Sequence, residues 1–438
     1  MTARFRKLLA DLSETFWLLP ALLVLCGAAG ALGLIQLDRG AWIPRWLLED
    51  WLYDGGATGA RTLLGAVASS TIGVAGTVFS ITIAALSLAA GQMGPRLLRN
   101  FTRDRGNQFT LGAFLGTFCY ALIVLRSVRT ATEGGGFVPH LSLSVGIALA
   151  FVCVATLVYF VGHMAGRINV DTVIELVSDD LHSAIHRLTV DKRQPDPPPL
   201  GFWREATPIE DPRRGYLQQL DESGLAAWAT EHETAIRLLV RPGDYVFPGA
   251  PIALMLPPVE GADDAVRNAT ALGPQRVSSS DLRFAVRQLV EVAVRALSPG
   301  INDPHTAISV LDRLGAALCE VKPLYLPTGV WTANERPVLV VPHIQYDQLV
   351  NTMFHTIRQN ASGNATVLMR QLEVLTQVVS CERDRARMAV LERHADLVFE
   401  DAERDIATPG DLDDIRRRHR AFMTMMRDGP LGQLESAS

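Results

Sequence analysis

Four long runs of residues without a single Asp, Glu, Lys or Arg constrain this chain more than any other feature. They lie near 16–37, 63–90, 109–125 and 141–164. Crossing about 30 Å of hydrocarbon at 1.5 Å per residue takes roughly 20 apolar residues in a helix. A core helix of a soluble protein rarely stays free of charge for so long. The spacing predicts four transmembrane helices in a domain covering 1–166. Arg4, Arg6 and Lys7 resemble the start of a signal peptide, but the apolar run after them is longer than such a peptide needs. It reads as a retained span.

The positive charges beside the spans set an expected orientation. The N-terminus has three, and Arg96, Arg99, Arg103 and Arg105 follow the second span. Arg39, Arg45, Arg61, Arg126 and Arg129 lie on the other side. A bias of seven to five places both termini inside. The expected location is a bacterial cytoplasmic (inner) membrane, multi-pass, with the C-terminal domain in the cytoplasm. The lipid bilayer is the first expected partner. Trp42, Trp46, Trp51 and Tyr53 cluster between the first two spans. They read either as a helix lying in the headgroup layer or as a loop packed on the bundle.

After Arg167 the chain becomes charged. A helical extension over 167–193 presents Val173, Ile174, Val177, Leu181 and Ile185 at helical spacing, continuing the fourth span. Pro197-Pro198-Pro199 then make a stiff linker. A small β-rich module is expected over 200–260. Its Gly243-Asp244-x-Val246-x-x-Gly249-x-Pro251-Ile252 spacing resembles the turns of biotinyl and lipoyl barrels. The modifiable lysine of those carriers is missing, since Leu254-Met255-Leu256-Pro257 follows. The resemblance therefore implies a β-barrel-like shape and no carrier role. A mainly helical region with one hairpin is expected over 281–426, then a disordered tail over 429–438. The fold class is membrane α-helical with about four transmembrane helices, plus a soluble α+β domain containing the barrel-like module and the helical region.

Several segments resemble a family of bacterial predicted membrane proteins labelled only as a domain of unknown function. They are Val78-Phe-Ser-Ile-Thr82, Gly94-Pro-Arg-Leu-Leu98, Arg237–Gly249, and the stretch from Arg287-Gln-Leu-Val through Ala296-Leu-Ser-Pro-Gly-Ile-Asn-Asp-Pro304. The resemblance implies location and architecture, not an activity.

Net charge of −5 leaves no footprint for nucleic acid. Of the five cysteines, Cys26, Cys119 and Cys153 lie in apolar runs, and no pair has CxxC spacing. HExxH, Walker and GxSxG motifs are missing, and the ten histidines read as scattered. No cofactor, metal or catalytic residue is expected. Gly134-Gly135-Gly136 reads as a flexible turn.

Two places carry polar or special patterning. In the second span, Ala66, Ser70, Gly73, Thr77, Ser80, Ala84, Ser87 and Gly91 recur at spacings of four and three. Small residues let helix backbones approach, and hydroxyls add hydrogen bonds between helices. The stripe reads either as packing within the chain or as self-association around a narrow path for water or ions. In the soluble domain, Arg295, Asn302, Asp303, His305 and Thr306 lie on one loop. Asp303 suits a helix N-cap with Pro304 in the first turn, and the same residues suit an anion or a partner. The leading expectation is a homo-oligomeric protein with a channel-like or regulatory role. The alternative is a membrane-tethered sensor or scaffold that binds a ligand or protein and conducts nothing.

Overall fold

The computed structural model describes residues 16–40, 55–93, 104–130, 136–167, 169–276, 281–322 and 324–436. The aromatic cluster from Trp42 to Tyr53, Gly134 and Gly135 fall outside them. The chain divides into two compact units, with the boundary in the main chain between Asn169 and Val170.

The first unit contains α1 (Leu18–Arg39), α2 (Ala57–Met93), α3 (Arg105–Ser127) and α4 (His140–Arg167). All four are long and apolar enough to cross a membrane. Glycine decides how closely α1 and α3 approach. A Cβ on Gly27 would meet the Gly116 carbonyl oxygen at 2.4 Å, and a Cβ on Gly116 would meet the Leu23 carbonyl oxygen at 2.8 Å. Backbone therefore lies against backbone, as small residues permit in apolar spans. Asp38 at the end of α1 accepts the Leu141 and Ser142 amides at 3.0 Å each, capping α4. The Ser142 hydroxyl donates to the same carboxylate at 2.6 Å. Tyr120 on α3 donates its hydroxyl to the Ser142 carbonyl at 2.7 Å. One apolar cluster joins Ala31, Leu64, Tyr120, Val124 and Leu143, and a second joins Ala75, Val78, Phe114, Cys153 and Phe160.

The second unit begins with α5 (Val170–Leu188). It is a helix separate from α4, not its continuation. Its predicted apolar stripe is buried: Val173, Ile174, Val177, Leu181 and Ile185 are each 4% exposed or less. After a short 3-10 turn at Leu200–Trp203 come β1 (Thr207–Glu210), β2 (Gly215–Leu220), α6 (Glu222–Glu231), β3 (Ala235–Leu238), β4 (Tyr245–Val246), β5 (Pro251–Leu256), α7 (Ala262–Ala269) and β6 (Thr270–Gly273). Then follow α8 (Leu282–Ala296), α9 (Pro304–Val321), β7 (Val330–Ala333), β8 (Arg336–Val340), α10 (Tyr346–Asn360), α11 (Ala365–Cys381), α12 (Arg385–Asp405) and α13 (Pro409–Ser436).

The strands form two small sheets, ordered β1-β5-β3-β8-β7 and β4-β2-β6, in place of one barrel. The difference arises because the hairpin β7–β8 does not stay with the helices around it. Its second strand pairs in parallel with β3, Ile236 opposite Leu339, and extends the first sheet. Alternating residues of the central strands, Ile236 and Leu238 from β3 and Ile252 from β5, share a core with Leu225 and Ala229 of α6 and Val266 of α7. The β-rich module thus extends to Gly273, beyond its expected end at 260. At the C-terminus, α13 continues to Ser436 across a break at Gly429, where the sequence pointed to a disordered tail.

Candidate functional site

The stripe on α2 occupies an open face. Ala66, Ser70, Gly73, Thr77, Ser80, Ala84 and Ser87 are all exposed, while Leu64, Ala68, Thr71, Ala75 and Val78 are buried against the other spans. A Cβ added to Gly73 or Gly76 would meet nothing within 4 Å. Among the described residues, then, this stripe is not a packing face between the spans. The larger apolar side chains of α2 do not account for this; Val78 turns inward while Ile72 and Phe79 flank the stripe outside. Gly91 lies farther along the same helix, beyond the residues whose surroundings are described.

Three hydroxyls of the stripe, those of Ser70, Thr77 and Ser80, are already donated. Ser70 bonds to the Val67 carbonyl at 3.1 Å, Thr77 to Gly73 at 3.2 Å, and Ser80 to Gly76 at 2.9 Å. Each keeps an acceptor lone pair for a neighbour, and none requires water.

The loop between α8 and α9 is closed by its own hydrogen bonds. The Asn302 amide donates to the Ser298 carbonyl at 2.9 Å, and the Asp303 amide donates to Ala296 at 2.8 Å. Asn302 has a φ of 50°, the left-handed region that Asn tolerates better than most residues. Asp303 caps α9, its Oδ1 accepting the Thr306 amide at 3.2 Å and its Oδ2 accepting the Thr306 hydroxyl at 2.6 Å. That hydroxyl bond, opposed by partial burial and helped by backbone amides, holds the Asp303 carboxyl below the usual range. Asn302 and His305 are exposed, and Arg295 is half-buried. Asp303 and Thr306 thus meet in the capping interaction.

A concave site that sequence reasoning missed lies among α5, α6, α8 and the segment after β8. A cavity of about 160 Å³ adjoins a wider groove of about 470 Å³. Glu222, His343, Leu188 and Pro327 line both. Arg241 and Pro242, from the turn Arg241-Pro242-Gly243-Asp244, line one wall. Its Asp244 amide donates to the Arg241 carbonyl at 3.0 Å, with Pro at the second position and Gly243 at φ +91°. That is type II turn chemistry. A Cβ on Gly243 would lie 2.0 Å from Asp281 Oδ2, so the glycine also makes room for this carboxylate. Arg283 donates to Asp244 at 2.8 Å and to Asp281 Oδ1 at 3.3 Å. Asp281 Oδ2 is buried and, among the described residues, has no hydrogen-bond partner. Glu222 accepts from the Trp331 indole at 3.1 Å and lies 4.0 Å from His343 Nε2. Burial pushes the His343 pKa down, with Arg241 adding to the fall and Glu222 opposing it. The turn was legible as Pro-Gly-Asp, but nothing local marks Asp281, Glu222 and His343 as its neighbours, because they come from distant segments.

Two further groupings cross element boundaries. Asp104 at the start of α3 meets His163 on α4 at 2.7 Å. Asn107, one turn into α3, is 2% exposed, and both polar atoms of its side chain lack partners among the described residues. In the second unit, His182, His186 and Glu320 place their ligand atoms within 4.8 Å of one another. The reading of scattered histidines passed over the spacing of four between His182 and His186, which puts both on one face of α5.

The comparisons match this architecture. A family profile described as "Predicted membrane protein (DUF2254)" matches residues 13–377. An uncharacterized protein of Mycobacterium tuberculosis is 30% identical over 426 residues, covering 94% of this chain and 80% of the relative. An uncharacterized protein of Mycobacterium bovis matches with the same identity and coverage. No solved structure matches the chain. With the profile covering most of its length and all four apolar helices, the chain belongs to the DUF2254 family of predicted membrane proteins.

Proposed function

We propose that this protein works as a homo-oligomer in a bacterial inner membrane, its spans associating through α2, in a channel-like or regulatory role with the soluble unit in the cytoplasm. The observation that carries this reading is the open face from Ala66 to Ser87. Large apolar side chains face outward from other spans: Phe151, Val154, Val158 and Val161 on α4 are each 60% exposed or more, as is Leu25 on α1 at 69%. Such side chains suit lipid tails. A continuous stripe of Gly, Ala, Ser and Thr gives lipid little to pack against, whereas it lets a second helix backbone approach closely. The occupant that fits it is the α2 of another copy. Because the hydroxyl protons of Ser70, Thr77 and Ser80 are spent within the helix, a tight dry interface forms there without leaving these donors unsatisfied. Where several copies meet, their remaining lone pairs would face a shared axis.

Reconstitution tests the role. Purified protein in liposomes is assayed for ion and water flux, and its stoichiometry is read in the same vesicles. Oligomers with flux support the channel-like form, oligomers without flux support the regulatory form, and monomers overturn the proposal.

The concave site in the soluble unit favours the second reading, a membrane-tethered sensor that binds a small polar ligand. Its support is the orphaned Asp281 Oδ2 beside the cavity, together with Arg241, Glu222 and His343 on the walls. Thermal-shift screening of small cationic and zwitterionic molecules against wild type and Asp281→Asn checks it. A shift present in wild type and missing in the variant supports the sensor, and equal responses in both contradict it.

A further inference from the structure

We infer that His182, His186 and Glu320 form a binding site for a first-row divalent transition metal, with zinc as the best fit. His182 and His186 are one helical turn apart on α5, so both imidazoles project from one face. Glu320 comes from α9, whose packing against α5 fixes the third ligand. Val177, Leu181 and Ile185 on α5 and Leu314, Leu318 and Val321 on α9 are all fully buried. The register of the two helices is pinned a second time, two turns earlier, by Arg313 donating to Glu175 at 3.0 Å. Glu175 precedes His182 by seven residues, and Arg313 precedes Glu320 by seven. The two helices therefore run in the same direction along this seam, and the ion pair and the ligand cluster share it.

The three groups have the geometry and chemistry of a metal site. Their ligand atoms all lie within 4.8 Å of one another. Ligands at about 2.0–2.1 Å from a tetrahedral zinc stand roughly 3.3 Å apart. His182 Nδ1 and Glu320 Oε2 are 2.5 Å apart, so an ion between them requires less than about 1 Å of opening. His182 is exposed enough to rotate by that amount. Glu320 Oε2 is itself buried, and the His182 ring nitrogen is its close polar neighbour among the described residues. A carboxylate oxygen withdrawn from water gains from a cation.

Two imidazoles and one carboxylate prefer zinc and its first-row neighbours to magnesium or calcium, which take all-oxygen ligands. Three protein ligands leave at least one position open for water or another ligand. The ion would tie α5, the helix that directly follows α4 in the chain, to the helical core of the soluble unit.

Another zinc site would have to be excluded. The thiols of Cys319 and Cys381 lie 3.4 Å apart, and Cys319 is the residue before Glu320. The double cysteine variant below separates that pair from the histidine site.

The test uses full-length protein without a histidine tag, in nanodiscs, with zinc and cobalt ions as probes. Equilibrium dialysis should find one zinc per chain. Cobalt should give the visible absorption of a four-coordinate site. Losing even an outer partner of a ligand costs about 10–100-fold in metal affinity, so His186→Ala and Glu320→Gln should each weaken zinc binding at least about tenfold. His186 is exposed, so the alanine variant should keep its fold, which the wild-type thermal transition without metal verifies. The double variant Cys319→Ser, Cys381→Ser should bind as wild type does. No stoichiometric zinc in wild type, unchanged affinity in His186→Ala, or loss only in the cysteine variant would each overturn the site.

Discussion

Asp104 binds two helices at once: its Oδ1 accepts the Gly106 amide at 2.9 Å and its Oδ2 lies 2.7 Å from His163 Nε2. The carboxylate therefore caps α3 and holds the far end of α4. The same approach leaves no room beside it, since a Cβ on Gly106 would meet His163 Nε2 at 2.8 Å. An ionisable residue next to an apolar span is costly unless it is paired. Asp104→Ala removes the cap and the partner together. The cap alone is worth roughly 0.5–2 kcal/mol, and the loss should exceed it. Asp104→Asn retains an accepting oxygen and should lose less. Thermal unfolding in detergent ranks the two variants, and wild-type behaviour in both would remove this role.

The contact of α1 with α3 depends on Gly27 and Gly116. Gly27→Ala places a methyl 2.4 Å from a carbonyl oxygen, and backbone cannot yield as a side chain can. Overpacking of this kind costs about 1–3 kcal/mol. Gly30→Ala, where a Cβ would meet nothing within 4 Å, is the matched control and should be neutral. Equal stability of the two variants would show that α1 and α3 do not touch as described.

Asp303→Ala should destabilise the soluble unit by roughly 0.5–2 kcal/mol, and Asp303→Ser should restore most of that. The folded carboxyl titrates below its unfolded value. Its stabilising contribution is thus present above the ordinary aspartate range and fades as pH falls through the lowered folded pKa. Denaturant titration of the three proteins at neutral pH checks the ranking. A variant with Ser that folds normally yet abolishes a measurable function would assign the loop a charged role beyond capping.

His394 on α12 provides a pH test. It is 1% exposed, its Nδ1 has no partner among the described residues, and burial pushes its pKa to about 4, with Arg393, His355 and Arg358 adding to the fall. The folded state keeps the ring neutral while the unfolded chain takes up a proton near its ordinary value of about 6.5. Stability from this group is therefore complete above pH 6.5 and declines as pH drops toward 4, by an amount on the order of 1–3 kcal/mol. His343 and His355 shift in the same direction, so the comparison must be with His394→Leu. The variant should show a flatter profile between those pH values. Parallel profiles would contradict the assignment.

The parts of the fold that were legible in sequence are those written in local periodicity. The charge-free runs marked the four spans, the spacing of Val173, Val177 and Leu181 marked the buried face of α5, and Asp303-Pro304 marked a capped start. What was hidden depends on contacts between distant segments. The pairing of Ile236 with Leu339 crosses about a hundred residues, and it turns an isolated hairpin into part of a five-stranded sheet. Asp281, Glu222 and His343 meet around a turn that none of them adjoins in sequence. The stripe on α2 was visible as a pattern, yet its direction was not, because a period of 3.6 identifies a face without saying what covers it. Only the placement of α1, α3 and α4 on the opposite side shows that the small residues look outward. His182 and His186 were the exception, a local signal at spacing four that had been there to read.

The central claim is that the small-residue face of α2 meets the α2 of a second copy. Single cysteines placed in a background with the five native cysteines replaced test it by oxidative cross-linking in native membranes. The account predicts dimeric products for Gly73→Cys, Thr77→Cys and Ser80→Cys. It predicts none for Ala75→Cys, which is buried within the chain, and none for Val154→Cys on the bulky outward face of α4. Gly73→Leu in the same background should reduce the Ser80→Cys product by blocking close approach. Cross-linking at Val154 equal to that at Gly73, or no product anywhere along the stripe, would contradict it.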